Sequence, residues 1–283
     1  MKQKLTISIP WLYITPAISL LTIFLFIPIL FLICLSFTNG NITNLNWIGW
    51  KNYHKLILDP DFIQILWNSF YFSSLTIIPS IIIPLFLAIL LSQNIWLQNF
   101  FRTIYFIPSI TSLVAIGLGF RWLFQNNGPI NEFFLFINLQ PINWLNSTLW
   151  AMPVLIIFST WRQIGFNLVV FLAGLQLIPL NRYEAAELDG ADFWGKLWFI
   201  TIPSLTPTLI FTTITTTIFT LRSFEQVYII TNGGPANSTN IIAYYVYEQA
   251  FRQFNFGYAA TSASILLFIS LVFVSLQLKN SRE

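Results

Sequence analysis

The chain has 283 residues, 56% hydrophobic and only 8% charged, with a formal net charge of +3. A soluble globular domain carries about 25% charged residues, so most of this surface meets lipid and not water. The positive charge is small and scattered, with no basic run, which excludes nucleic acid as a partner.

The mean hydropathy of +0.71 is distributed in six apolar windows, at roughly 11–37, 65–92, 102–124, 149–178, 202–230 and 259–278. Each is long enough for a membrane helix of about 20 residues. The first follows Met1-Lys2-Gln3-Lys4 and has no Ala-x-Ala cleavage site, so it is read as an uncleaved span and not a signal peptide. Prolines within or near the windows (Pro16, Pro28, Pro79, Pro84, Pro108, Pro153, Pro207) do not veto helices in a membrane, where neighbouring helices satisfy freed carbonyls. Cys34, the single cysteine, is read as a small buried hydrophobe.

With the N-terminus inside, seven basic residues face inward: Lys2, Lys4, Arg102, Arg182, Lys196, Lys279 and Arg282. Lys51, Lys55 and Arg252 face outward, with Arg121 and Arg222 near the outer boundary. This bias puts both termini in the cytoplasm, and with them the connection at 179–201. The outer connections carry turn signals at Asn126-Asn127-Gly128-Pro129 and Asn232-Gly233-Gly234-Pro235. Trp47, Trp50, Trp144 and Trp150 are expected as an interfacial belt. Asn41, Asn146 and Asn237 begin N-x-Thr triplets, a pattern in which chance matches are common. The whole chain, 1–283, reads as one membrane domain.

The stretch 184–203 holds Glu184, Glu187, Asp189 and Asp192, four of the chain's ten carboxylates. Asn181 is expected to cap a short helix, with Glu184 reaching back as a capping box. Gly190 then turns the chain, and Asp192 caps a second helix through Trp194, Leu197 and Trp198 until Pro203. Ala185, Ala186 and Ala191 give a small-residue face that another protein can approach closely. The plainer alternative is an interfacial amphipathic helix. Residues 190–197 nearly match the phosphate-loop pattern, but Leu197 supplies no hydroxyl for magnesium, and Phe193 and Trp194 crowd the cradle.

Glu184-Ala185-Ala186, three residues, Gly190, nine residues, then Ile200-x-Ile202-Pro203 resembles the EAA loop of ABC importer permeases; Ile202 replaces the usual Leu. Asp189-Gly190-Ala191, Ala173-Gly174-Leu175-Gln176, Thr231-Asn232-Gly233-Gly234-Pro235, Trp47-Ile48-Gly49-Trp50-Lys51-Asn52-Tyr53 and Phe256-Gly257-Tyr258-Ala259-Ala260 extend the likeness to the carbohydrate-uptake branch. The resemblance implies an all-α, type I importer permease with six transmembrane helices in a bacterial cytoplasmic membrane. It implies a second, homologous permease subunit, two cytoplasmic ATPase subunits and an extracytoplasmic solute-binding protein. ATP and magnesium would be used by the ATPases and not bound by this chain. Glu184, Ala185, Ala186, Asp189, Gly190 and Ala191 would form the coupling helix, with Glu184 facing a basic ATPase residue.

For the translocation path, Arg162 stands out, because ionisable groups in spans are costly. Ser159, Gln163 and Asn167 lie at helical spacings beside it, and Thr216, Thr220 and Ser223 form an i, i+4, i+7 stripe. Hydroxyls and amides can bind a sugar, and Trp161 or Phe166 can cover its apolar face; for each Thr, helix packing is the competing role. Arg222 and Glu225 are expected to pair, and His54 to be a solvated surface residue. The rivals are an ion-coupled secondary transporter, which needs carboxylates in the spans, and a membrane enzyme, which needs a catalytic cluster. One His and spans poor in acids disfavour both.

Overall fold

A computed structural model describes residues 8–40, 45–92 and 98–280; Lys2, Lys4, Arg282 and the Asn41 triplet fall outside that range or in its gaps. Among the described residues the architecture is helical, with an isolated antiparallel bridge between Thr38 and Trp47. Four helices among the described residues are long and apolar enough to cross a membrane, or up to six if each of two bent pairs is one span. In chain order these spans, with the short connecting helix α6 between them, are α1 (Tyr13–Ser36), α2 (Pro60–Ser92), the bent pair α3 (Gln98–Ile110) and α4 (Leu113–Leu123), α5 (Ala151–Gln176), then α6 (Leu180–Leu188), the bent pair α7 (Phe193–Ser204) and α8 (Thr206–Leu221), and α9 (Phe256–Lys279).

Pro79 and Pro84 lie inside α2 without breaking it. The third and fifth windows are not single straight helices. α3 and α4 meet at 99°, and α7 and α8 at 66°. Apolar periodicity records which residues avoid water, not the direction of the axis, so neither bend shows in the windows. Pro207 explains the second: it lacks the donor for the residue-203 carbonyl, and its ring crowds that carbonyl, so the chain turns at Leu205. α8 also stops at Leu221, and a separate π-helical turn, Val227–Thr231, fills the rest of the fifth window.

The chain divides into two compact units, 1–62 with 245–267, and 63–244 with 268–283. In the first, the loop after α1 is fastened by amides and hydroxyls. Asn52 Nδ2 donates to the carbonyls of Ser36 (2.9 Å) and Thr38 (2.8 Å), and Thr261 Oγ1 donates to Ser36 O (3.1 Å). Gly40 (φ +80°) lies so close to the Gly257 backbone that no Cβ fits between them. Phe37 gathers Trp47, Trp50 and Tyr53 at centroid distances of 5.3, 5.0 and 5.4 Å. Tyr258 Oη lies 3.2 Å from Asp59 Oδ2, and the Lys55 ammonium covers the Tyr258 ring. Burial, then Tyr258 and Asp59 beside it, push the Tyr245 phenol above its ordinary range. Cys34 is exposed and not buried. None of the most apolar window of α1 is buried, as suits an apolar helix meeting lipid. His54 is exposed, as expected.

The second unit is built on α5. Half of its apolar window is buried, which makes it the central helix. Leu168, Phe171 and Leu172 pack with Ala88 and Leu91 of α2. α3 crosses α5 at Gly165, where a Cβ would come within 2.5 Å of Ser109 Oγ. At Gly174 a Cβ would lie 2.6 Å from Thr208 Oγ1, so α8 also approaches closely. Small residues at such crossings are the usual means of helix association in membranes. The turn signals hold: Gly128 precedes Pro129 at the first turn of the short helix Pro129–Phe136, and Asn232 and Gly233 both adopt positive φ.

Candidate functional site

The first candidate region is the knuckle from α6 through α7. Pro179, not Asn181, occupies the N-cap of α6, and no side chain caps it. The expected capping box between Asn181 and Glu184 is therefore absent: the helix starts one residue after Pro179, which leaves Asn181 inside it. Its C-terminus is a Schellman turn. Ala191 N donates to Ala186 O (2.8 Å) and Gly190 N to Glu187 O (3.1 Å), while Gly190 takes φ +78°. Asp192 then caps α7, its Oδ1 accepting from Gly195 N at 2.7 Å. The run 190–197 is thus a helix-to-helix turn, and Asp192 already occupies a backbone donor that a phosphate loop would offer. α7 does not end at Pro203. A π-helical turn at Leu197–Thr201 shifts the ladder, and the proline is carried inside the last turn.

Glu184, Ala185, Asp189 and Gly190 are exposed, while Ala186 and Ala191 are partly covered. Ala185, Ala186 and Asp189 line a groove of about 500 Å³ with Arg182, Phe199 and Pro203. Leu188 is 90% exposed and Phe199 84%. The knuckle therefore presents two large apolar side chains beside acidic ones. Three side-chain contacts that sequence reading missed join its arms: Lys196–Glu187 (2.6 Å), Tyr183–Thr201 (3.0 Å) and Arg182–Ser204 (3.2 Å).

The second region is a cavity of about 490 Å³ lined by segments around α3, α5 and the end of α8. It contains Ser159, Arg162, Gln163 and Ser223 from the expected path. Asn167, Thr216 and Thr220 are not in its wall; each is about 1% exposed at helix contacts. Asn167 Nδ2 donates to Ser80 O (2.6 Å) on α2 and to Thr216 Oγ1 (3.0 Å) on α8. Most threonines of α8 satisfy their own hydroxyls one turn back, as Thr212, Thr213 and Thr217 do. Helix packing accounts for Thr216 and Thr220, while Ser223, the last residue of the stripe, stays in the cavity wall.

Sequence reading missed Ser109, Arg222, Glu225 and Gln226 as lining residues. Arg222 and Glu225 do not form the expected ion pair; both line the cavity separately. They follow the early end of α8 at Leu221. The wall is partly pre-bonded: Gln163 Nε2 donates to Thr220 Oγ1 (3.3 Å), Gln226 Nε2 to Ser159 Oγ (3.3 Å) and Ser109 Oγ to Arg162 O (3.0 Å). Arg162 Nε and Gln163 Oε1 are buried with no hydrogen-bond partner, which is costly unless something else supplies one. Phe166 lines the cavity, whereas Trp161 stacks on Phe120 instead.

Helical spans, an exposed knuckle and a polar cavity define an integral membrane transporter. Residues 80–282 match the family of binding-protein-dependent transport system inner membrane components, and the chain belongs to that family. It is a permease subunit of an ABC importer, a transport component and not a catalytic one. The chain is 39% identical to the lactose transport system permease protein LacF of Rhizobium radiobacter, over 96% of this chain and 94% of that one. It is 33% identical to the arabinooligosaccharides transport system permease protein AraP of Bacillus subtilis, over 96% and 88% respectively. A solved bacterial ABC transporter involved in the import of the acidic polysaccharide alginate shares the fold, with TM-score 0.85, 23% identity and coverage of 97% and 95%. The resemblance read from the EAA loop is thereby borne out.

Proposed function

We propose that the chain is one of two permease subunits that import a sugar or sugar-like osmolyte, such as an oligosaccharide, a glucosyl-polyol or a glycerol-phosphate compound. The observation that carries this is the cavity at Arg162. It combines unpartnered buried polar atoms with phenylalanine rings such as Phe166 and Phe219, the mixture that hydroxyl-rich, partly apolar sugars require. Its volume falls within the usual range for small-ligand sites, about 300–1,000 Å³. Relatives named for lactose and arabinooligosaccharides support the solute class.

In this reading the protein lies in the bacterial cytoplasmic membrane with both termini and the knuckle inside. A solute-binding protein delivers ligand from outside. Two ATPase subunits hold the ATP and magnesium, and one of them seats against Glu184, Ala185, Ala186, Asp189, Gly190 and Ala191 of this chain. Their closure moves the knuckle, and helix bundles rock the cavity from inward to outward access. Purification with associated subunits tests this. Hydrolysis is measured over lactose, an arabinooligosaccharide, a glucosyl-polyol and glycerol phosphate, each with its binding protein. Vesicle uptake that needs internal ATP and added binding protein supports the reading; uptake driven by an ion gradient alone overturns it.

A further inference from the structure

The knuckle is held together by more than its turn. Along α6 the residues Glu187, Tyr183 and Arg182 meet, in that order, Lys196, Thr201 and Ser204. Numbers fall on one arm as they rise on the other, so the contacts are successive rungs of an antiparallel helical hairpin. The rungs differ in kind. Glu187–Lys196 is an ion pair near the tip, with the lysine side chain 24% exposed and the glutamate 63%. Tyr183–Thr201 is a hydroxyl pair whose threonine is buried and also donates to Lys196 O (3.2 Å). Arg182–Ser204 closes the base, one residue before the buried Leu205 where α7 bends into α8.

A turn closed only by Gly190 would act as a hinge: pushed at α6, it would fold and leave α8 in place. We infer that the three rungs lock α6 to α7, making Glu187, Lys196, Tyr183 and Thr201 positioning residues for energy coupling. This rests on the reading of the knuckle as the ATPase contact. Force applied to α6 then reaches α8 through side chains as well as through the backbone. Exposed pairs are individually weak, but the tip rung has the longest lever arm, and it sits beside a half-buried second rung anchored on the buried Thr201.

The test uses the full permease–ATPase complex in lipid, with Cys34→Ser and spin labels at Leu188→Cys on α6 and Phe211→Cys on α8. Their separation is measured without nucleotide and after vanadate trapping. With the rungs intact, one narrow distance persists in both states. Glu187→Lys or Lys196→Glu raises the population of a second distance on trapping roughly fivefold, and the exchanged double variant restores the single distance. Thr201→Val gives the same splitting without altering charge. A single narrow distance in all the single variants overturns the proposal, as does splitting that the exchange fails to repair. A separate outcome concerns the underlying reading. If trapping leaves the mobility of the Leu188 label unchanged in the otherwise native chain, the ATPase does not seat there, and both ideas fall.

Discussion

The knuckle and the Arg162 cavity belong to the same compact unit but are built in opposite ways. The knuckle joins near neighbours: its rungs span 9, 18 and 22 residues. Its polar groups are mostly engaged, and its apolar side chains point outward. The cavity joins residues 53, 57 and 67 positions apart, and it leaves buried polar atoms unengaged. A part that transmits force needs internal ties. A part that receives and releases a solute needs groups left free for it.

Substitutions can break this contrast, beginning with the most severe. Gly190→Pro removes the left-handed turn and the Gly190 donor, at a cost of about 3 kcal/mol or more. Uptake in vesicles is expected to be abolished while ATP hydrolysis continues. Retained uptake would place the force path elsewhere. Arg162→Met removes a charged donor from the cavity. The concentration for half-maximal uptake should rise by roughly tenfold or more, from about 1.5–3 kcal/mol of lost hydrogen bonding, with the melting temperature little changed. Asn167→Leu should do the reverse. Losing the ties to Ser80 and Thr216 lowers stability by about 1–2 kcal/mol, seen as a lower melting temperature in detergent, with solute affinity kept. Thr216→Val is the mildest, about 0.6 kcal/mol. A large transport defect in that variant would return the threonine stripe to the solute path.

The same contrast sets what could be read from the chain. Gly190, Asp192 and the order of short helices around them follow from local rules, and all appear where those rules put them. The capping box failed because Pro179 starts the helix itself. The rungs escaped notice because their rows depend on a π-helical turn that shifts the pairing. In the cavity, Arg162 was visible as a charge in a greasy helix. Arg222, Glu225 and Gln226 were not, since the apolar window ran past the true end of α8. The bend between α3 and α4 was hidden for a related reason: burial pattern survives a change of axis. The glycine-bearing segments at 47–53 and 256–260 were legible as a resemblance, yet their physical role is fastening within the first unit, through Asn52, Gly257 and Tyr258.

Gly190 carries one more consequence. A Cβ built on it meets nothing within 4 Å, so the obstacle to a larger residue there is chirality and not crowding. An L-alanine must strain to reach φ +78°, asparagine less so, and a D-alanine introduced by chemical ligation would fit the turn with no strain at all. The mirror-image residue thus separates handedness from bulk at the point where this importer bends its chain.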